Sequence, residues 1–230
     1  MKTVLVFVEG QAEETFIREV LDPYLQNKNV CLIPKLAVTR RVKSGPDFKG
    51  GIVSYGKAKN DITRLLKDSS VSIVTTMIDF YGLPTDFPGK ATLPNGSGYQ
   101  KVLHLENEFQ KDIASPKFLP YLSLHEFEAM IFVAPEHLLQ VFPKVNKNQE
   151  LAEIIAKFNS PEEINDDPQT APSKRLEKLF PKYQKTSDGP LIVIETGVDR
   201  IRSQCFHFNE WLTKLEKLGG VNNLTPQLSS

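Results

Sequence analysis

Acidic residues directly follow two apolar segments of the chain. Residues 4–8 lead into Glu9 and Gly10, and the β-branched-rich residues 71–78 lead into Asp79. Short apolar runs of this kind are typical of strands buried on both faces of a parallel sheet. Because ligands of open α/β sheets bind beyond the carboxyl ends of the strands, we expect both carboxylates at one binding edge. Such carboxylates repel each other unless a hard cation, Mg²⁺ or Mn²⁺, neutralises them.

Each of these acids also has a simpler interpretation. Glu13 and Glu14 fall in the first turn of the helix predicted after Gly10, where acids complement the helix dipole, and this role is favoured for Glu14. Asp79 is followed by Gly82 and would equally well open a turn. Glu9 has no capping duty of this kind, so its position at the end of a strand indicates a functional role.

A third group of polar residues lies in the segment LHEFEAMIF. If a helix begins there, His125 and Glu128 share one face, whereas in an extended strand Glu126 and Glu128 share a face. The sequence leaves both arrangements open. Glu128 is followed by four apolar residues, and a glutamate in such surroundings requires a partner.

Basic residues occur in two places suited to phosphate binding. The loop at residues 39–51 contains Arg40, Arg41 and Lys43, and a basic loop near an acidic pocket favours a phosphodiester ligand. Arg200 and Arg202 begin a helix after residues 191–194, which we predict to be a strand. A solvated connector for the loop, and ion pairs with Glu195 or Asp199 for the two arginines, are the competing interpretations.

The order of strands and helices predicts an α/β fold with a mostly parallel sheet flanked by helices. Helices are expected at residues 11–26, 55–67 and 99–113, and strands at 4–8, 30–38, 71–78, 119–124 and 191–194. Pro34 suggests a bulge or an edge position for the second strand. We predict a core over 1–133, a helical insertion over 134–185, the last strand and helix over 186–218, and a disordered tail over 219–230.

Composition is that of a globular cytoplasmic protein. The chain has 230 residues, 40% of them hydrophobic, and no run approaches the roughly 20 apolar residues that a membrane helix needs. Its two cysteines show no metal-binding spacing. The 28 basic and 28 acidic residues cancel, so any contact with nucleic acid has to use a local patch.

Four segments together resemble a known family. VEGQAEETF, TTMIDFYGLPTDFPG, LHEFEAMIF and DRIRSQCFHFNEWL look like a bacterial family of stand-alone Toprim-like proteins of unknown function. That family is related to the nuclease domain of overcoming-lysogenisation-defect proteins. The resemblance implies a Toprim-like, Rossmann-like sheet, with Glu9 as metal ligand or acid/base and Glu13 as a second acid. Members are often encoded beside an ATPase of the ABC or SMC type, which implies such a partner and a role in genome defence.

The chain departs from the Toprim pattern at one position. Toprim domains usually carry Asp-x-Asp after the later strand, whereas Asp79 is followed here by Phe80 and Tyr81. Metal ligation would therefore be completed from elsewhere, with Asp86, Glu126 and Glu128 as candidates, or not at all. Because LHEFEAMIF belongs to the resemblance, Glu128 is the preferred candidate and Glu126 the second.

The predicted function is a metal-dependent phosphodiester hydrolase, a nuclease that uses Mg²⁺ or Mn²⁺ and acts on DNA in preference to RNA. A regulatory partner of an ATPase without catalysis, and a nucleotide or phosphate binder, are the alternatives. The residues assigned to catalysis are Glu9, Asp79 and Glu128. The residues assigned to metal binding are Glu9, Glu13, Asp79, Glu126 and Glu128, and those assigned to phosphate binding are Arg40, Arg41, Lys43, Arg200 and Arg202.

Overall fold

The computed structural model describes residues 1–37, 52, 54–164 and 169–220. Its sheet contains parallel strands in the order β2-β1-β3-β4, and the short β5 pairs with β3 beyond β4. The mostly parallel α/β sheet predicted from the sequence is thus confirmed. The strands are β1 (Lys2–Val8), β2 (Val30–Leu36), β3 (Ile73–Asp79), β4 (Phe118–Leu119) and β5 (Leu122–Ser123).

Helices cover both faces of this sheet. The α-helices are α1 (Gln11–Phe16), α2 (Asp22–Gln26), α3 (Tyr55–Leu66), α4 (Gly98–Ile113), α5 (Pro135–Val141), α6 (Asn148–Ile155), α7 (Pro172–Leu179), α8 (Asp188–Thr196), α9 (Val198–Gln204) and α10 (Phe206–Leu218). A π-helical segment, Ile17–Leu21, joins α1 to α2, and 3₁₀ segments span Lys90–Thr92, Phe127–Val133 and Pro161–Glu163.

Strand β1 is the centre of the hydrophobic core. Val4, Val6 and Val8 belong to one apolar cluster, and the alternate residues Leu5 and Phe7 belong to a second cluster on the opposite face. This alternation is what a strand buried on both faces requires. Because both faces of β1 are packed against apolar layers, the position of its carboxyl end is fixed.

Prolines explain two local details of the sheet and its first helix. Pro34 lies in β2, which is the edge strand, as its inability to donate a ladder hydrogen bond requires. Pro120 separates β4 from β5, so the single strand predicted for residues 119–124 is interrupted. The helix predicted at residues 11–26 passes Pro23 without ending, because the π-helical segment precedes it and Pro23 takes up a first-turn position of α2.

The strand predicted at residues 191–194 is wrong, because these residues belong to helix α8. Gly189, Ile192, Val193 and Thr196 are buried, while Leu191 is 47% exposed. Burial at positions i, i+3, i+4 and i+7 is helical periodicity. The four apolar residues in a row concealed this period, since a run so short does not separate a buried strand from a buried helix.

The polar segment after residue 133 shares the core of the sheet. Leu138, Leu151, Leu176 and Phe180 lie in the same apolar cluster as Val4. Helices α5 to α7 therefore pack on the layer that covers one face of β1. Residues 221–230, most of the tail predicted to be disordered, lie outside the described residues. No helix in the described part of the chain is long and apolar enough to cross a bilayer.

Candidate active site

Glu9 lies directly beyond the carboxyl end of β1, where it contacts the end of β3. The backbone N–H of Asp79 donates to Glu9 Oε2 over 3.3 Å. A Cβ atom at Gly82 would lie 3.5 Å from Glu9 Oε1, so the chain after β3 passes close to the same carboxylate. The two strand-end acids predicted from the sequence are therefore brought together.

Glu13 joins this group from the first turn of α1. Its side chain is buried, with 3% of its surface exposed. A Cβ atom at Gly10 would come within 2.9 Å of Glu13 Oε2, so the glycine leaves the space that this carboxylate occupies. Gly10 thus permits an acid to lie under the start of the helix. The more exposed Glu14 instead pairs with Arg18 over 2.6 Å.

Asp79 connects the sheet to the segment that carries Glu128. Its Oδ1 accepts a hydrogen bond of 3.0 Å from the backbone N–H of Phe127, the first residue of the 3₁₀ segment Phe127–Val133. Glu128 follows in the first turn of this segment, and its side chain is completely buried. Neither arrangement considered for LHEFEAMIF is fully correct, since the chain is extended at Glu126 and helical from Phe127 onward.

Lys185 supplies the positive charge of the site. Its Nζ donates to Glu128 Oε2 over 2.9 Å, and its side chain is 43% exposed. It comes from the chain just before α8, far along the sequence from the acids. The need of Glu128 for a partner is visible in the sequence, but nothing there identifies which of the 28 basic residues provides it.

Burial is the main cause of raised pKa values among the carboxylates of the site. Burial raises the pKa of Glu9 to about 7, and repulsion from Glu13 adds to the effect. Burial likewise raises the pKa of Glu128 to about 7, although Lys185 opposes the increase. Burial, and then the charges of Glu13 and Glu9, keep the pKa of Asp79 well above its usual value. These carboxylates thus bind protons more tightly than free ones, and a cation at the site would compete with those protons.

Polar atoms without partners border the acids. Within the described part of the chain, Glu128 Oε1, Ser123 Oγ and the Tyr183 hydroxyl are buried and form no hydrogen bond. Ser123 is paired with Asp79 in the β3–β5 ladder, and the charge of Glu128 contributes to the raised pKa of Tyr183, after burial. Buried polar groups are rarely left unpaired, so these atoms are available to a water molecule or a ligand at the site. Sequence reasoning missed both Ser123 and Tyr183.

Glu126 is hydrogen-bonded to helix α7 but remains close to the acids, since its charge adds to burial in raising the pKa values of Glu9 and Glu128. Both Glu126 carboxylate oxygens accept hydrogen bonds from Ser173, from its N–H over 2.9 Å and from its hydroxyl over 3.1 Å. The carboxylate thus satisfies a free N–H in the first turn of α7. The His125 ring lies 6.2 Å from that of Phe80. Asp86 accepts from the backbone N–H of Tyr55 over 3.4 Å.

The two late arginines have acidic partners. Arg202 contacts Glu216 over 2.9 Å and donates to the hydroxyl of Tyr24 over 2.7 Å. Arg200 pairs with Glu136. The ion-pair interpretation therefore describes both, although with partners other than those considered from the sequence. The predicted phosphate-binding residues Arg40, Arg41 and Lys43 lie outside the described residues.

A fold with acids gathered at the carboxyl edge of a parallel sheet defines an α/β protein with a buried acidic site. Comparison with family models gives the particular family: the chain belongs to the Domain of unknown function (DUF4276) family, whose model matches residues 8–216. The match includes Glu9, Asp79, Glu128 and Lys185. No curated protein sequence matches the chain significantly.

One solved structure is similar at low identity. The C-terminal region of the Burkholderia pseudomallei OLD protein covers 95% of this chain and 99% of its own, with 16% sequence identity and a TM-score of 0.43. Since a TM-score below 0.5 does not establish a common fold, the fold described above rests on the strand order and register.

Proposed function

We propose that this protein is a metal-dependent phosphodiester hydrolase that acts on nucleic acid. The observation that carries the proposal is the gathering of Glu9, Glu13, Asp79 and Glu128 around the ammonium group of Lys185. Burying several acids is costly, and clusters of buried acids with perturbed pKa values are found mainly at functional sites. The position at the carboxyl edge of the sheet is where open α/β folds bind their ligands.

The donor set fits a hard divalent cation. Carboxylate oxygens suit Mg²⁺ and Mn²⁺. Glu128 Oε1 and Ser123 Oγ form no hydrogen bond among the described residues, so both oxygen atoms are free to contact a cation or its water shell. No three His, Cys, Asp or Glu side chains in the described ranges are already arranged as a metal site. Mg²⁺ usually takes one or two carboxylates and completes its shell with water and substrate phosphate. We therefore expect one or two ions, each held by one or two of the carboxylates of Glu9, Glu13, Asp79 and Glu128, with water and substrate phosphate completing the shell.

The remaining chemistry belongs to the chain itself. A bound cation would polarise the phosphate and make a water molecule more acidic. Glu9, with its pKa raised to about 7 by burial, suits proton transfer near neutral pH. Lys185 is partly exposed and positively charged, so its ammonium group is placed to approach a phosphate oxygen while it remains close to Glu128.

The choice of nucleic acid as substrate, and of an ATPase as partner, depends on the resemblance to Toprim-like proteins. That resemblance supports an association with an ABC- or SMC-type ATPase and a role in genome defence. We propose DNA in preference to RNA as the polymer. The acidic site itself supports a phosphodiester substrate.

The experiment compares Glu9→Gln with Glu14→Gln in a cleavage assay with and without Mn²⁺. Glu9→Gln removes a charge and a proton acceptor from the site, and we expect it to lower cleavage by about 10²-fold or more. Glu14→Gln is a matched control, since Glu14 is in the same helical turn but pairs with Arg18 at the surface. It should cleave like the wild type.

Two outcomes would replace the proposal with an alternative. If the wild type, assayed with its ATPase, nucleotide and Mn²⁺, cleaves no better than Glu9→Gln, the protein is not a nuclease. Tight binding to the ATPase without cleavage would then identify a regulatory partner, which the tyrosine at position 81 in place of an aspartate would permit. Binding of single nucleotides without turnover would identify a phosphate-binding protein.

A further inference from the structure

Tyr81 is an exposed aromatic residue at the edge of the acidic site. Its side chain is 43% exposed, and it lies between Asp79 and Gly82, both of which approach the carboxylate of Glu9. Among the described residues its ring has no aromatic partner and its hydroxyl forms no hydrogen bond. An exposed aromatic ring beside a candidate site offers a flat surface on which a ligand with a π-face can pack.

The backbone that carries Tyr81 is well anchored. The N–H of Phe80 donates to Ser123 O over 3.1 Å, and the N–H of Tyr81 donates to His125 O over 3.3 Å. The Phe80 ring packs against the second core cluster, and Lys90 Nζ lies 5.7 Å from its centroid. The main chain at Tyr81 is therefore held in place, so that a ligand covering the exposed ring has to order the side chain alone and not the loop.

We propose that Tyr81 stacks on an unpaired base next to the phosphodiester held at the acids, so that the substrate is single-stranded nucleic acid. The inference rests on the proposed function. Successive bases of a single strand stack on aromatic side chains irrespective of sequence, because every base has a π-face. In a duplex the bases already stack on each other and present only their edges. An aromatic platform beside the reacting phosphate thus selects single strands over duplexes.

Binding tests this proposal without requiring cleavage. Affinity is measured by fluorescence anisotropy with Ca²⁺ in place of Mn²⁺, for a single-stranded oligonucleotide of about 16 nucleotides and a hairpin duplex. Tyr81→Ala should weaken binding of the single strand by about 5- to 150-fold. Tyr81→Phe, which keeps the ring, should bind like the wild type, and Tyr81→Leu should behave like the alanine variant. Duplex affinity should not change in any of these variants.

An abasic strand separates stacking from any general loss of structure. It has the same phosphates but no bases, so the wild type and Tyr81→Ala should bind it equally. Phe206→Ala is a second control, because Phe206 is also an exposed aromatic residue but contacts Tyr99. The proposal is wrong if Tyr81→Ala binds the single strand as tightly as the wild type, or if it loses equal affinity for the abasic strand. A protein that binds single strands through Tyr81 but never cleaves them would refute the proposed function alone.

Discussion

Glu128 and Lys185 show how a buried charge is maintained in this protein. The glutamate is completely buried, the lysine is partly exposed, and the two meet over 2.9 Å. Glu128 uses one oxygen for this contact, while its Oε1 remains unpartnered among the described residues. An ion pair of this kind contributes little net stability, because desolvation offsets the attraction. The effect of the pair is that the lysine favours the ionised form of Glu128 inside the protein.

Replacing Lys185 by methionine should destabilise the protein in a pH-dependent way. Removal of one partner of a buried pair typically costs about 3–5 kcal/mol, and we expect roughly 1–2 kcal/mol because Glu128 protonates readily. Without the lysine the pKa of Glu128 rises further, so the cost should be larger at a pH of about 8 than at about 5. Urea unfolding at both values measures it.

Lys182→Met provides the comparison for this experiment. Lys182 is exposed and lies three residues before Lys185. Its replacement should change the free energy of unfolding by less than about 0.5 kcal/mol at either pH. A cost for Lys185→Met that is equal at both pH values would show that Glu128 does not depend on the lysine for its charge.

Strands β1 and β3, with the acid at the carboxyl end of each, are the elements that the sequence predicts best. Their apolar, β-branched runs specify buried strands, and the acids that follow them must lie at the same sheet edge because the strands are parallel. Helix α4 is equally clear, since its capping box and amphipathic pattern agree. Helix α8 is not, because Leu191, Ile192, Val193 and Ile194 conceal its period.

Four alanine substitutions in α8 distinguish the observed helix from the predicted strand. Ile192→Ala and Val193→Ala should each cost about 1–4 kcal/mol, because both side chains are buried. Leu191→Ala and Ile194→Ala should cost about 1 kcal/mol or less, since these side chains are 47% and 37% exposed. A strand would instead pair residue 191 with 193, and 192 with 194. Chemical denaturation of the variants decides between the two patterns.

At the scale of the whole molecule, the site is completed by residues distant in the sequence. Glu9 and Asp79 are predictable because each follows its own strand. Lys185 and Ser123 are not, because their roles depend on where the helical segment packs on the sheet and on how β5 pairs with β3. Local patterns specify strands and helices, whereas contacts between distant segments are set by packing of the complete core.

The pKa values of the acids also have consequences for the whole molecule. Glu9 and Glu128 have pKa values raised from 4.5 to about 7, so the folded state binds protons more tightly than the unfolded chain. Their contribution to stability is present below the unfolded pKa and is lost as pH rises through the folded pKa. His207 contributes in the same direction: burial alone would lower its pKa, but its bond to Glu106 raises it.

We therefore expect the melting temperature to fall as pH increases from about 5 to about 8. The decrease should be several degrees, because about 1 kcal/mol shifts the melting temperature of a chain of this size by roughly 2–4 °C. Glu9→Gln should reduce the slope, since glutamine does not titrate, and the contributions of Glu128 and His207 should remain. Glu14→Gln should leave the slope as in the wild type. Saturating Mg²⁺ or Mn²⁺ should also reduce it, because a cation stabilises the ionised carboxylates that protons otherwise neutralise. Calorimetry across this range tests both effects. A melting temperature that rises with pH, or a slope that Glu9→Gln leaves unchanged, would show that the folded state does not raise the pKa values of these acids.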